Sequence, residues 1–213
     1  MTSFKSLLAL ALLSGSALAS PDKKIETLTF HGSGCPTATD QNIVVTDDER
    51  TISIFFNSFV AETTPDQSRV QKNCRISFHM NLPAATMVRL ETMDYRGFAY
   101  PSLRVKRKDK VKTTGKAILR RVYFNDRDKE LGETKISTFD EDTTEFNLHD
   151  EIHSVTSSRC GGRTVLHANV IAIADRGRDP EEQTSIGVDT LDVHHELQQV
   201  LRVSYIPCPA PRS

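Results

Sequence analysis

The segment HDEIH, His149 to His153, sets two histidines four residues apart with acids between them. On a helix that spacing puts both imidazoles on one face, where they can hold zinc while a neighbouring glutamate acts as general base. The details depart from that arrangement, because Asp150 follows the first histidine and Glu151 comes one place late. Read as a strand, the segment puts Phe146, Leu148 and Ile152 on one face and His149, Glu151 and His153 on the other. No third protein ligand can be named, so no metal and no cofactor is assigned. His194 and His195, in VHHE, are adjacent and would point to opposite faces of a strand, so at most one could join the first pair.

Other chemistries find less. GSGCP, Gly32 to Pro36, carries Ser33 between glycines but lacks the strand-to-helix setting of a nucleophile elbow. The acids of DDE (Asp47 to Glu49) and DED (Asp140 to Asp142) read as turns, and paired glycosidase carboxylates are defined by a separation in space that sequence does not show. There is no EF-type calcium loop and no Asn-X-Ser/Thr sequon. The chain is therefore read as non-enzymatic, with a secreted hydrolase as the least supported class.

Cys35, Cys74, Cys160 and Cys208 form an even set with no CxxC. In an oxidising compartment this favours two disulfides, in any of three connectivities, over a reactive thiol. The oxidising compartment is expected from the N-terminus. MTSFKSLLALALLSGSALAS has the charged, apolar and small-residue order of a secretory signal, with cleavage expected after Ala19. The expected organisation is a signal over 1–19 and a single secreted β-rich domain over 20–213, with no membrane-spanning stretch. A formal charge of −1 gives no whole-molecule argument for nucleic acid or anionic membrane.

The elements that must carry these residues are strands. In NCRISFHMNLP, Asn73 to Pro83, Cys74, Ile76, Phe78, Met80 and Leu82 share one parity and face a core. Arg75, Ser77, His79 and Asn81 face solvent or a partner. MVRLETMDYRGFAYP changes parity between Leu90 and Met93, which predicts a β-bulge, and Gly97 marks a bend or a close backbone approach. TISIFFNSFVAE, AILRRVYF, EFNLHDEIHSV, TVLHANVIAIA and LQQVLRVSYIP supply further strands, the last with Leu201, Val203 and Tyr205 on one face. Helical periodicity is missing after the signal, apart from a short turn allowed at VHHELQQVL. An antiparallel β-sandwich or jelly-roll-like single domain follows.

The run Arg104 to Arg121 holds nine Lys or Arg against Asp109 alone. Its core, Arg104, Lys106, Arg107, Lys108, Lys110 and Lys112, is a candidate patch for an anionic polymer. Aromatic residues are not interleaved, so nucleic acid is not expected as a partner. The alternative is a solvated hairpin neutralised by Asp140, Glu141, Asp142 and Glu145, in which dibasic Lys106-Arg107 and Arg120-Arg121 would be open to nicking.

GSGCP, FFNSFVAE, KNCRISFHMNLP, YRGFA, RCGG and GVDTLDV, in that order, resemble domain of unknown function 4360, a family of small secreted, mainly fungal proteins. The resemblance spans nearly the whole mature chain. It implies secretion, a disulfide-bonded β domain, no established catalysis, and the pairing Cys35–Cys74 and Cys160–Cys208. The chain departs from the family pattern after YRG, where a neutral strand gives way to the basic run.

The resulting expectation is a secreted, non-enzymatic binding protein, acting as a fungal effector or virulence-associated protein on a host component. The alternative is a wall protein that binds polysaccharide through an exposed sheet face. That alternative weakens if Tyr95, Tyr100 or Tyr123 is buried, because the chain has no tryptophan to stack on sugar rings.

Overall fold

The computed structural model describes residues 24–36, 41–107, 110–113, 115–125, 132–140, 145–157, 159–177, 183–188 and 199–210. The proposed signal and the VHHE histidines lie outside them.

Fourteen described strands, numbered in chain order, pair antiparallel throughout. The first sheet runs β1 (Ile25–His31), β5 (Arg69–Leu82), β12 (Gly162–Asp175), β9 (Lys116–Asn125), β10 (Glu133–Phe139). The second runs β2 (Gln41–Val45), β3 (Thr51–Phe56), β14 (Gln199–Pro207), β6 (Thr86–Tyr100), β13 (Ser185–Val188), β4 (Phe59–Glu62), and β11 (Glu145–Glu151) also pairs with β6. The sheets pack face to face as an all-β sandwich, and β7 (Leu103–Arg107) and β8 (Lys110–Thr113) form a separate hairpin. No helix occurs among the described residues.

Alternation explains the layering. On β5 the set Cys74, Ile76, Phe78, Met80 and Leu82 is buried as its parity requires, and Leu166, Ala168, Val170 and Ala172 of β12 meet it in the core. The parity change in β6 is a bulge: Val203 pairs with Leu90 and Arg202 with Thr92, so Glu91 is left over. Leu201 and Val203 are buried and Tyr205 packs partly buried against the same core, so these three side chains share one face. Gly97 is a close-approach glycine. A Cβ there would lie 2.2 Å from the Gly187 carbonyl oxygen and 2.5 Å from the Phe146 ring.

Two disulfides close the sandwich, Cys35–Cys74 and Cys160–Cys208. GSGCP is built for the first of them. Gly32 adopts φ +142° where a Cβ would strike the Asn73 carbonyl, and a Cβ on Gly34 would enter the Phe59 ring. Ser33 Oγ accepts from the Asn73 backbone N–H and donates to its side chain, so this serine anchors a turn against β5.

Candidate functional site

β11 carries HDEIH as a strand, not a helix. His149 points outward and pairs with Asp94 of the neighbouring β6, Nδ1 to Oδ1 2.5 Å. His153 lies just past the strand end, with its ring 3.6 Å from Glu151 and its backbone N–H donating to Glu133. Among the described residues no set of three His, Cys, Asp or Glu side chains converges as a metal site.

Asp150 points the other way. It is 5% exposed and accepts two hydrogen bonds from Arg121, Nε–Oδ2 2.8 Å and Nη2–Oδ1 3.1 Å. Tyr123 Oη lies 2.5 Å from Asp150 Oδ2 and 2.9 Å from Tyr95 Oη. With one proton on each hydroxyl, Tyr123 donates to the carboxylate and accepts from Tyr95. Burial above all pushes both tyrosines well above the ordinary phenol range; at Tyr123 the Tyr95 phenol and then the Asp150 charge add to it, whereas at Tyr95 the Tyr123 hydrogen bond opposes it ahead of the Asp150 charge. Arg121 is held above its usual value by the carboxylate, although burial alone acts the other way. This network lies between the sheets.

Arg121 therefore corrects the reading of the basic run. It is 3% exposed inside β9 and paired with the buried Asp150, and Arg120-Arg121 is part of a strand and not an exposed loop open to nicking. The sequence carries the signal in its parity. Arg121 alternates with Ala117, Leu119 and Tyr123, and Asp150 with Phe146, Leu148 and Ile152, so each is a charge at a core position. Two opposite charges at core positions imply each other. Lys116 to Arg120 lie with Arg121 in β9, and the start of the run supplies β7 and β8, with Arg104 opposite Lys112 and Arg107 opposite Lys110. The side chains of the candidate patch, Arg104, Lys106, Arg107, Lys108, Lys110 and Lys112, fall outside the described residues.

The outer face of the first sheet brings together residues far apart in sequence. Register places Thr29, Ser77, His167 and Phe124 side by side in one cross-strand row, and His31, Arg75, Asn169, Val122 and Thr134 in the next. Ser77 Oγ and His167 Nδ1 share a hydrogen bond of 2.9 Å, His167 stacks on Phe124 at 4.7 Å, and Arg75 lies 5.6 Å over the Phe124 ring. His79 Nε2 and Thr29 Oγ1 share a bond of 3.2 Å. Arg75, Arg120, His31, Thr27 and Thr134 are exposed, whereas Ser77 and His167 are buried beneath them.

A Ser–His pair raises the question of nucleophilic chemistry. Ser77 sits mid-strand with partners on both sides, so backbone amides around it are committed to the ladders and unavailable as oxyanion donors. Register alone brings Ser77 and His167 together, which is why neither stood out in the sequence. The pair orders the face.

A second concavity, about 340 Å³, lies between β1 and the β2–β3 turn, lined by Ile25, Leu28, Val45 and Asp47 among others. Of the acids that line it, Glu49 is occupied, since it accepts the backbone N–H groups of Lys24 and Ile25. Tyr95 and Tyr123 are buried, and Tyr100, 48% exposed, belongs to the second sheet. Two of the three tyrosines thus offer no platform for a sugar ring, which weakens the wall-binding expectation in its tyrosine-stacking form.

The family described as a domain of unknown function (DUF4360) matches residues 21–208. An uncharacterized secreted protein of Arthroderma benhamiae is 27% identical over 154 residues, covering 70% of this chain and 58% of that protein. The chain thus spans less than two thirds of the length of this curated relative. Together with the closed disulfides, the secreted relative assigns the protein to the extracellular space. Among solved structures, TmCBM61 in complex with beta-1,4-galactotriose is similar at a TM-score of 0.28 and 10% identity, over 87% of this chain and 91% of that one. The enzymatically active domain of tailspike protein 4 from bacteriophage CBA120 reaches 0.20 and 6%, over 86% and 20%. Likeness at these TM-scores carries no argument about ligands.

Proposed function

This chain belongs to the family of domain of unknown function 4360, and from that premise we propose that it is a non-catalytic extracellular binding protein that holds a polysaccharide against the outer face of its first sheet. The observation behind this reading is the register of β1, β5, β12, β9 and β10. It aligns hydroxyl, amide, imidazole and guanidinium groups in cross-strand rows on the outer face of the sheet, exposed at Thr27, His31, Arg75, Arg120 and Thr134. Such a row matches the spaced hydroxyls of an extended sugar chain through hydrogen bonds, with ring stacking on tyrosine playing no part.

Co-sedimentation of the purified protein with insoluble chitin, β-glucan and cellulose, at low and high salt, tests the reading. Retention by a polymer, lost when Asn169 and Thr29 are replaced together by bulky residues, is the expected result. Retention unaffected by those changes would move the site elsewhere, with the β7–β8 hairpin as the next candidate. The effector setting rests on size, the secretory signal, the disulfides, the family resemblance and the basic run. Unchanged immune output on expression in a host would count against it.

A further inference from the structure

The charge pattern of the same face narrows the ligand. The chain as a whole balances 27 Lys and Arg against 28 Asp and Glu. The central rows of the face, from Thr27–His79–Val165 to Gln71–Ile173–Ile118–Thr138, carry no carboxylate among the described residues. Among the described residues acids appear on this face only at its two ends. Glu26 lies 3.8 Å from Arg163 at one end; at the other Asp175 lies 3.7 Å from Arg69, and Asp140 follows β10.

Within the rows stand Arg75 and Arg120, both exposed, and neither is within ion-pair distance of a carboxylate among the described residues. Arg75 is braced over the Phe124 ring, and Arg120 rises between Ile171 and Ile136 of the flanking strands. One strand lies between their own two strands, so the guanidinium stems are about 10 Å apart across the sheet and about 7 Å along it. With no carboxylate in reach among the described residues, both exposed forks are open to an incoming anion. The rows carry arginine and no lysine, and the planar fork matches the two oxygens of a carboxylate.

We propose that this face binds a carboxylate-bearing polysaccharide, with Arg75 and Arg120 as its anion contacts and the Thr29, His79 and Asn169 side chains meeting sugar hydroxyls. The inference rests on the reading of this face as a polysaccharide site. A lipid surface fits less well, because among the described isoleucines of this face only Ile136 is exposed, at 63%. Nucleic acid lacks a stacking platform, since Phe124 is buried under Arg75.

The test is calorimetric titration of the whole protein with polygalacturonate, with neutral dextran and β-glucan and with dextran sulfate alongside. Polygalacturonate should bind, dextran should not, and Arg75→Gln and Arg120→Gln should each weaken binding roughly tenfold, the loss of one charge-assisted pair. Both arginines are exposed, so the thermal midpoint should stay in place. Arg163→Gln, at an end already paired, should matter less. Binding of a neutral glucan in preference to polygalacturonate, still sensitive to changes on this face, overturns the anionic ligand and leaves the polysaccharide reading standing. Equal binding of dextran sulfate, indifferent to Arg75 and Arg120, also overturns the inference and indicates a nonspecific cationic surface. Binding of none of these polymers defeats both.

Discussion

Arg121 grips Asp150 through two hydrogen bonds, Nε–Oδ2 2.8 Å and Nη2–Oδ1 3.1 Å, and so ties β9 of the first sheet to β11 of the second. The guanidinium also donates to the Leu119 carbonyl and the Ser137 hydroxyl, so its donors are spread over three strands. A buried pair of this kind fixes how the two sheets sit on each other.

Asp150→Asn should destabilise the fold by about 3–5 kcal/mol, because it strands a buried cation. The double change Arg121→Met with Asp150→Leu should cost much less, since it removes both desolvation penalties together. Urea unfolding of the three proteins checks this. A double variant as unstable as Asp150→Asn would contradict it.

Tyr95, Tyr123 and Tyr205 share a folded-state phenol pushed up chiefly by burial, with nearby carboxylates adding to it. A raised value in the folded state means that their contribution to stability is complete below about pH 10, the unfolded phenol value, and declines as pH rises above it. Spectrophotometric titration should show these phenols ionising together with alkaline unfolding. Their ionisation ahead of the loss of far-ultraviolet circular dichroism would contradict the buried network.

The two disulfides differ in access. Cys35 and Cys74 are buried, whereas Cys160 is exposed and Cys208 half-buried at the end of β14. Mild reduction followed by differential alkylation should open Cys160–Cys208 first, because exchange requires a thiolate to reach sulfur. Replacing Cys35 and Cys74 by alanine should cost about 2–4 kcal/mol.

Gly32→Ala should destabilise by about 1–3 kcal/mol, since an alanine would be strained at φ +142° and its Cβ would lie 2.1 Å from the Asn73 carbonyl oxygen. Thermal unfolding measures it. An unchanged midpoint would mean that the turn relaxes freely away from β5.

What was legible in the sequence was alternation along single strands. Cys74 to Leu82 gave the inward set, Leu90 to Met93 gave the bulge, and His149 with Glu151 emerged on the outer side. What depends on register was not legible. Ser77 meets His167 and Thr29 meets His79 only because β5 pairs with β12 and β1 at particular offsets, which no local pattern encodes. The basic run is illegible for a related reason: a strand sends alternate charges to opposite faces whatever their density along the chain, so Arg120 stays in solvent and Arg121 enters the core.

The most direct test of the polysaccharide face is an amide chemical-shift titration of isotope-labelled protein with galacturonate oligomers. Shifts confined to the outward residues of β1, β5, β12 and β9, centred on Thr29, Arg75, His79 and Arg120, are the predicted result. Shifts centred on the β7–β8 hairpin or the concavity beside β1, or no shifts at all, would contradict it.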